Sequence, residues 1–286
     1  MIGKFKLNTA HVGDWVENTK DLPDQSINCV LTSPPYYGLR DYGEKGQLGL
    51  EDTSEEFITN LCNGFEEIKR ALRDDGTCWV NIGDTYNKEK SLYGTPFSFA
   101  LEMVKRGWLL RNTIIWHKES VMPVSVKDRF TCDFEYMFFF TKSKEYWFEQ
   151  QFEPLQEISL KRQKYTFRGG RKNRDHASSG SNTGKDNQWV NEKGRNMRTT
   201  WTINPTRQGV FSNFETSHFA TFPKKLCMTP IKAGCPPKGI VLDPFLGSGT
   251  TGLVAEELGR NWLGFELNPE YLEIAKKRTS QRGMFV

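Results

Sequence analysis

The sequence has no long apolar run. Crossing a bilayer takes roughly 18 consecutive apolar residues, whereas a representative run here is Tyr136-Met137-Phe138-Phe139-Phe140. The start, Met1 to Lys6, holds no apolar segment of signal-peptide length. The expectation is a soluble, cytoplasmic chain with no membrane partner. Cysteine is sparse as well. Six (29, 62, 78, 132, 227, 235) are scattered through 286 residues, with no Cys-x-x-Cys pair and no companion His at metal-ligand spacing. Cys227 and Cys235 suit no common zinc pattern, so free, buried thiols in a reducing compartment are expected, and no metal. The Gly-Lys-Ser/Thr ending of a P-loop is missing, which argues against triphosphate hydrolysis. Internal repeats are missing too.

Charge of one sign is also in short supply: 39 Lys and Arg against 35 Asp and Glu leave a formal +4. The placement says more than the total. Residues 150–210 hold 12 basic and 5 acidic side chains, a net of +7, which leaves −3 for the remainder. A local basic patch on a slightly acidic body points to a polyanion. Aromatics, at 13%, are plentiful, and the length suits one large α/β domain or a domain with an insertion.

Strand and helix signals alternate over the first 147 residues. Ile27 to Thr32 is a short apolar run stopped by Ser33-Pro34-Pro35. Thr53 and Glu56 form a capping box ahead of Phe57, Ile58, Leu61, Phe65, Ile68 and Leu72, which share one helical face. Asp74-Asp75-Gly76 then reads as the end of that helix. Cys78 to Ile82, Ile114 to Trp116 and Tyr136 to Thr141 read as strands, and Pro96 to Arg106 as a helix closed by Gly107. Residues 161–200 carry six hydrophobic residues in forty, too few for a core of their own. Beyond them come a buried strand, Gly239 to Leu242, a glycine-rich turn and a helix to about Leu258. A strand from Asn261 to Glu266 follows, then a last helix capped by Asn268 with Pro269 in first position. This alternation predicts a doubly wound, mostly parallel sheet with ligands at the strand ends.

Two constellations carry chemistry. In the first, Asp243-Pro244-Phe245-Leu246-Gly247-Ser248-Gly249-Thr250-Thr251 joins strand to helix, and Glu266 ends the next strand. The glycines let backbone approach a ligand, and a strand-end acid can accept both hydroxyls of a ribose. Asp243 would repel a pyrophosphate and suits a ligand with a cationic amino group, such as the methionine part of S-adenosylmethionine. In the second, Ser33-Pro34-Pro35-Tyr36-Tyr37 follows a strand. Its rigid prolines leave carbonyls unpaired, and with Ser33 they offer acceptors for the two N–H groups of an exocyclic amine. Tyr36 is placed to stack on the ring being modified.

Together these segments resemble the amino-group DNA methyltransferases, which act on cytosine N4 or adenine N6. Thr32-Ser33-Pro34-Pro35-Tyr36 is similar to their catalytic motif, and Asp243 to Thr251 to their S-adenosylmethionine motif. The catalytic motif comes first, as in the circularly permuted class β arrangement. The resemblance covers nearly the whole chain outside about 155–210. His11-Val12-Gly13-Asp14 resembles the first acidic cofactor motif, with Asp14 near the adenine. Asn112 to Lys118 and Glu135 to Lys142 resemble later sheet motifs, and the segment from His218 to Pro223 resembles one that closes over the cofactor.

The resemblance implies a Rossmann-like α/β methyltransferase fold. Residues 1–150 would be the catalytic part, 151–210 a basic target-recognition insertion and 211–286 the cofactor part of the same domain. It implies Ser33, Pro34, Pro35 and Tyr36 as catalytic residues. Asp14, His218, Asp243, Phe245, Gly247, Ser248, Gly249, Thr250, Thr251 and Glu266 would hold S-adenosylmethionine, released as S-adenosylhomocysteine. Double-stranded DNA is the implied partner, met by Arg40, Arg168, Arg171, Lys172 and Arg174, with Asn173 and Asn182 as further base readers. Ser33, where many adenine enzymes carry Asp or Asn, resembles the N4-cytosine members. N6-adenine is the alternative, and C5-cytosine chemistry is disfavoured because the chain has no Pro-Cys dipeptide. A protein-amide methyltransferase, a nucleotide-dependent oxidoreductase and a non-catalytic DNA-binding protein are the competing classes. A restriction endonuclease acting on the same site is a further partner to be expected, and the assembly is a monomer or homodimer.

Overall fold

A computed structural model describes residues 1–121, 124–155, 194–205 and 222–280. The chain divides into two compact units, Met1–Glu149 with Thr199–Val286, and Gln150–Arg198. The larger opens with β1 (Thr9–Val12), α1 (Trp15–Lys20) and β2 (Ile27–Thr32). Next come α2 (Ser54–Ala71), β3 (Leu72–Ile82), α3 (Thr95–Lys105), β4 (Leu109–His117) and β5 (Phe134–Thr141). In the smaller unit, β6 (Phe152–Glu153) and β7 (Arg195–Asn196) form an antiparallel ladder, with Glu153 salt-bridged to Arg195 and Arg198. The larger unit resumes with β8 (Thr200–Thr202), α4 (Lys224–Gly234) and β9 (Ile240–Asp243). It ends with α5 (Thr250–Glu257), β10 (Asn261–Glu266) and α6 (Pro269–Ser280).

Eight strands form one sheet in the order β1-β10-β9-β2-β3-β5-β4-β8. Every neighbouring pair is parallel except those made by β5, which runs against both β3 and β4. The doubly wound, mostly parallel α/β fold is therefore the one expected. Strand alternation assigns the two faces. Cys78, Val80 and Ile82 of β3 join a core with Phe57, Phe65 and Phe99 from α2 and α3. Thr77 and Trp79 point the other way, where a Cβ on Gly234 of α4 would run into the Thr77 hydroxyl. Trp79 stacks on Phe139 of β5 at 3.9 Å between ring centroids.

Capping follows the local sequence. Thr53 accepts the Glu56 N–H at the start of α2, and Asn268 accepts from Glu270 and Tyr271 at the start of α6. Asp74-Asp75-Gly76 does not behave as expected. α2 stops at Ala71 and β3 begins at Leu72, so this triplet lies inside a strand. Its partners come from the segment after β5. Lys142 donates to the Leu72 carbonyl and pairs with Asp74, Ser143 donates to the Asp74 carbonyl, and the Trp147 N–H to that of Asp75. Tertiary hydrogen bonds extend a stretch that reads locally as a turn.

Candidate active site

β2 and β9 are neighbours, paired Cys29 to Val241 and Val30 to Leu242, so their carboxyl ends bring the two sequence constellations side by side. The junction is a side-chain bond. The Thr32 hydroxyl donates to Asp243 Oδ1 at 2.7 Å across 211 residues, and the Phe245 N–H donates to the same oxygen. Asp243 is buried, and that burial pushes its carboxyl up to about 6 against the pull of these donors. Glu266 closes β10. Its Oε2 accepts the Gly247 N–H and its Oε1 the Asn268 N–H, at 2.8 and 2.9 Å. Burial raises this carboxyl too, held back by those backbone donors.

The turn between β9 and α5 needs glycine at one point above all. Gly249 caps α5 with φ +82°, and a Cβ there would lie 3.0 Å from that of Ala275 on α6. Arg278 of α6 braces the turn, donating to the carbonyl and hydroxyl of Ser248 and to the Thr250 hydroxyl.

Asp243 and Glu266 line a cavity of about 550 Å³, in the range of small-molecule and cofactor sites. The same cavity receives Asp14, Ser33, Pro34, Pro35, Tyr36, Arg40, Phe245, Gly247, Ser248, Thr250 and Thr251; Gly249 supports the turn from α5. Asp14 also caps α1, accepting from Val16 and Glu17, and Phe245 packs its ring against Trp15. The charge of Arg40 reaches Tyr42 and Tyr271, which meet edge to face. His218, Arg168, Arg171, Lys172, Arg174, Asn173 and Asn182 lie outside the described residues.

The wall beside Ser33 is built on a hydrogen-bonded series. Asn81, near the carboxyl end of β3, donates from Nδ2 to the Tyr136 carbonyl at 3.0 Å, which aims its Oδ1 at Ser33 and Tyr36. Ser33 Oγ sits 3.4 Å from that oxygen and 3.5 Å from the Tyr36 hydroxyl. Tyr36 donates to Glu135 Oε2 at 2.5 Å, and Glu135 pairs with Lys118. Burial and the Glu135 charge raise the Tyr36 phenol well above its ordinary value, so it remains a neutral donor. The Tyr36 ring is fixed against Gly83, where a Cβ would come within 2.7 Å. Lys118 lies over the Trp116 ring at 4.5 Å, and Trp116 Nε1 donates to the Ile203 carbonyl.

Asn81, Trp116, Lys118 and Glu135 are not among the residues expected from sequence. A signal exists for each. Asn81 stands near the carboxyl end of a strand in a largely parallel sheet, where ligands gather. Trp116 and Lys118 close one of the stretches that resemble the family's sheet motifs, and Glu135 opens the other. Chemically, the cavity offers two carboxylates on one side, suited to a cation and a pair of hydroxyls. On the other it offers a hydroxyl with lone pairs to spare for an N–H donor. This set of acceptors fits S-adenosylmethionine beside an exocyclic amine.

Comparison with known proteins agrees. Residues 27–277 match the family model described as DNA methylase. The type II methyltransferase M.SmaI of Serratia marcescens is 36% identical over 95% of this chain and 90% of its own length. M.Cfr9I of Citrobacter freundii is 37% identical, over 96% and 89%. Among solved structures, the cytosine-N4-specific PvuII DNA methyltransferase shares the fold with a TM-score of 0.70 and 22% identity, covering 97% of this chain and 90% of that one. A Thermus thermophilus protein, TTHA0409, solved in complex with S-adenosyl-L-methionine, aligns with a TM-score of 0.62 at 25% identity, over 97% of each chain.

Proposed function

The chain belongs to the DNA methylase family, and from that premise we infer that it methylates the exocyclic N4 amine of cytosine in a specific double-stranded DNA sequence. The observation that carries the reading is the placement of Ser33 and Asp243 on one cavity, joined through Thr32. S-adenosylmethionine supplies an electrophilic methyl group. Asp243 and Glu266 hold its cationic and ribose parts, with Asp14, Phe245 and the turn from Gly247 to Thr251 completing the cradle. Ser33 and the Pro34 carbonyl accept the two N–H bonds of the amine. Accepting both draws the nitrogen lone pair out of conjugation with the ring, which is what in-line attack needs. Donation of the one Ser33 hydroxyl proton to Asn81 Oδ1 leaves the oxygen's lone pairs for the amine. Tyr36, fixed by Glu135 and Gly83, presents a rigid ring for the base. Holding both reactants in this geometry supplies much of the rate.

The amine of a paired cytosine lies inside the duplex, so the base must leave the stack. Residues 151–210 are the target-recognition insertion in this reading. Their basic excess neutralises phosphates, and Arg168, Arg171, Lys172 and Arg174 lie within it. Arg40 contacts DNA at the cavity itself. Methyl-labelled cofactor, DNA and nucleoside analysis test the assignment together with methylation-sensitive sequencing of DNA from expressing cells. Label on N4-methylcytosine at one sequence is the expected result. Label confined to adenine would transfer the assignment to N6.

A further inference from the structure

Hydrogen-bonding capacity is uneven along the wall that β3, β4 and β5 build beside Ser33. The Trp116 N–H is used by the Ile203 carbonyl, the Tyr36 hydroxyl by Glu135, and one Asn81 N–H by the Tyr136 carbonyl. Lys118 has three N–H groups and uses one on Glu135. Its ammonium is also held from two sides. The side chains of Lys118 and Glu135 are 18% and 17% exposed, and the Trp116 ring supports the charge from below. A mostly desolvated ion pair is neutral as a unit, so it can face an uncharged ligand, while its spare donors remain directed rather than mobile.

We propose that Lys118 reads the acceptor edge of the target base, donating to cytosine N3 and O2 while the N4 amine faces Ser33. The proposal rests on the N4-cytosine reading above. Next to its amine, cytosine carries two acceptors in succession, N3 and then O2. Adenine carries N1 followed by a C–H, which leaves one donor of the largely buried Lys118 without a partner. Unsatisfied donors of this kind are what make a polar pocket selective. Lys118 is thus a specificity-determining residue whose position Glu135 sets.

The test pairs a substrate change with a protein change. Duplexes carrying the mapped site are made with cytosine, 3-deazacytosine (no N3) or 2-thiocytosine (a poor acceptor in place of O2) at the target. Unmodified enzyme should lose roughly tenfold or more in kcat/KM on each analogue, and Lys118→Met less than about threefold relative to its own activity on cytosine. Lys118→Met retains the stem over Trp116, and calorimetric titration with S-adenosylmethionine verifies that it folds. Glu135→Gln turns over more slowly on every duplex but keeps the analogue penalty, because the ammonium is still there. Equal penalties in unmodified and Lys118→Met enzyme overturn the assignment, as does the absence of any penalty in the unmodified enzyme. Methyl label on adenine would instead overturn the base reading on which this rests.

Discussion

Asp243 is a carboxyl whose environment works against its own charge. Burial raises it to about 6, so near neutral pH it is mostly ionised and a modest acidification neutralises it. Protonation removes the negative charge that a cationic ligand needs. Affinity for S-adenosylmethionine should therefore fall as the pH drops through 6, approaching tenfold per unit below it. Isothermal titration from about pH 5 to 8 checks this; a flat profile in Asp243→Asn, with affinity about 10–100-fold lower near neutral pH, identifies the group. Ser33→Ala should behave in the opposite way, losing roughly 10²-fold in kcat with cofactor affinity intact, as read by single-turnover kinetics and titration. Both residues are legible in the sequence, because a Pro-Pro stop and a glycine-rich turn are local features. Asn81, Lys118 and Glu135 are not. Their meeting depends on β5 running antiparallel between β3 and β4, with Met137 opposite both Asn81 and Ile114, and no short window of sequence encodes that pairing.

Among the elements, those specified by their own termini are the ones that local sequence delimits well. The strand Ile27–Thr32 has the predicted bounds, and α2 begins at its capping box. β3 runs longer than its apolar stretch, because its first residues are bonded by Lys142, Ser143 and Trp147 from the segment that follows β5. The turn into α5 is a place where local conformation and packing agree. Gly249→Ala imposes a left-handed φ on a side chain and presses it against Ala275, so a loss of about 2 kcal/mol is expected, of which the backbone term alone is roughly 1–2. A lowered midpoint in thermal denaturation, together with weaker cofactor binding, is the signature. Gly64→Ala, on α2, should lower the midpoint as well, since its Cβ would run into the Trp15 ring, which packs on Phe245 at the cavity.

For the whole molecule, charge is divided as chemistry is. The −3 body holds the cavity, and the +7 stretch is the one proposed to carry the affinity for a polyanion. Replacing Arg168, Arg171, Lys172 and Arg174 together by Ala should weaken DNA binding across all sequences. It should also flatten the plot of log affinity against log salt by roughly 3–4 units, leaving cofactor binding unchanged. Fluorescence anisotropy over a salt series measures both slopes. The bond between Thr32 and Asp243 has a consequence for ancestry. It ties off a loop of 211 residues that includes the entire basic stretch. The entropy of closing such a loop grows only with the logarithm of its length, about 0.6 kcal/mol for each doubling. A change in the length of the basic stretch inside that loop thus carries little closure penalty. With that stretch as the proposed target-recognition insertion, new target sequences become accessible to descendants of this chain without any change at the atoms proposed to transfer the methyl group.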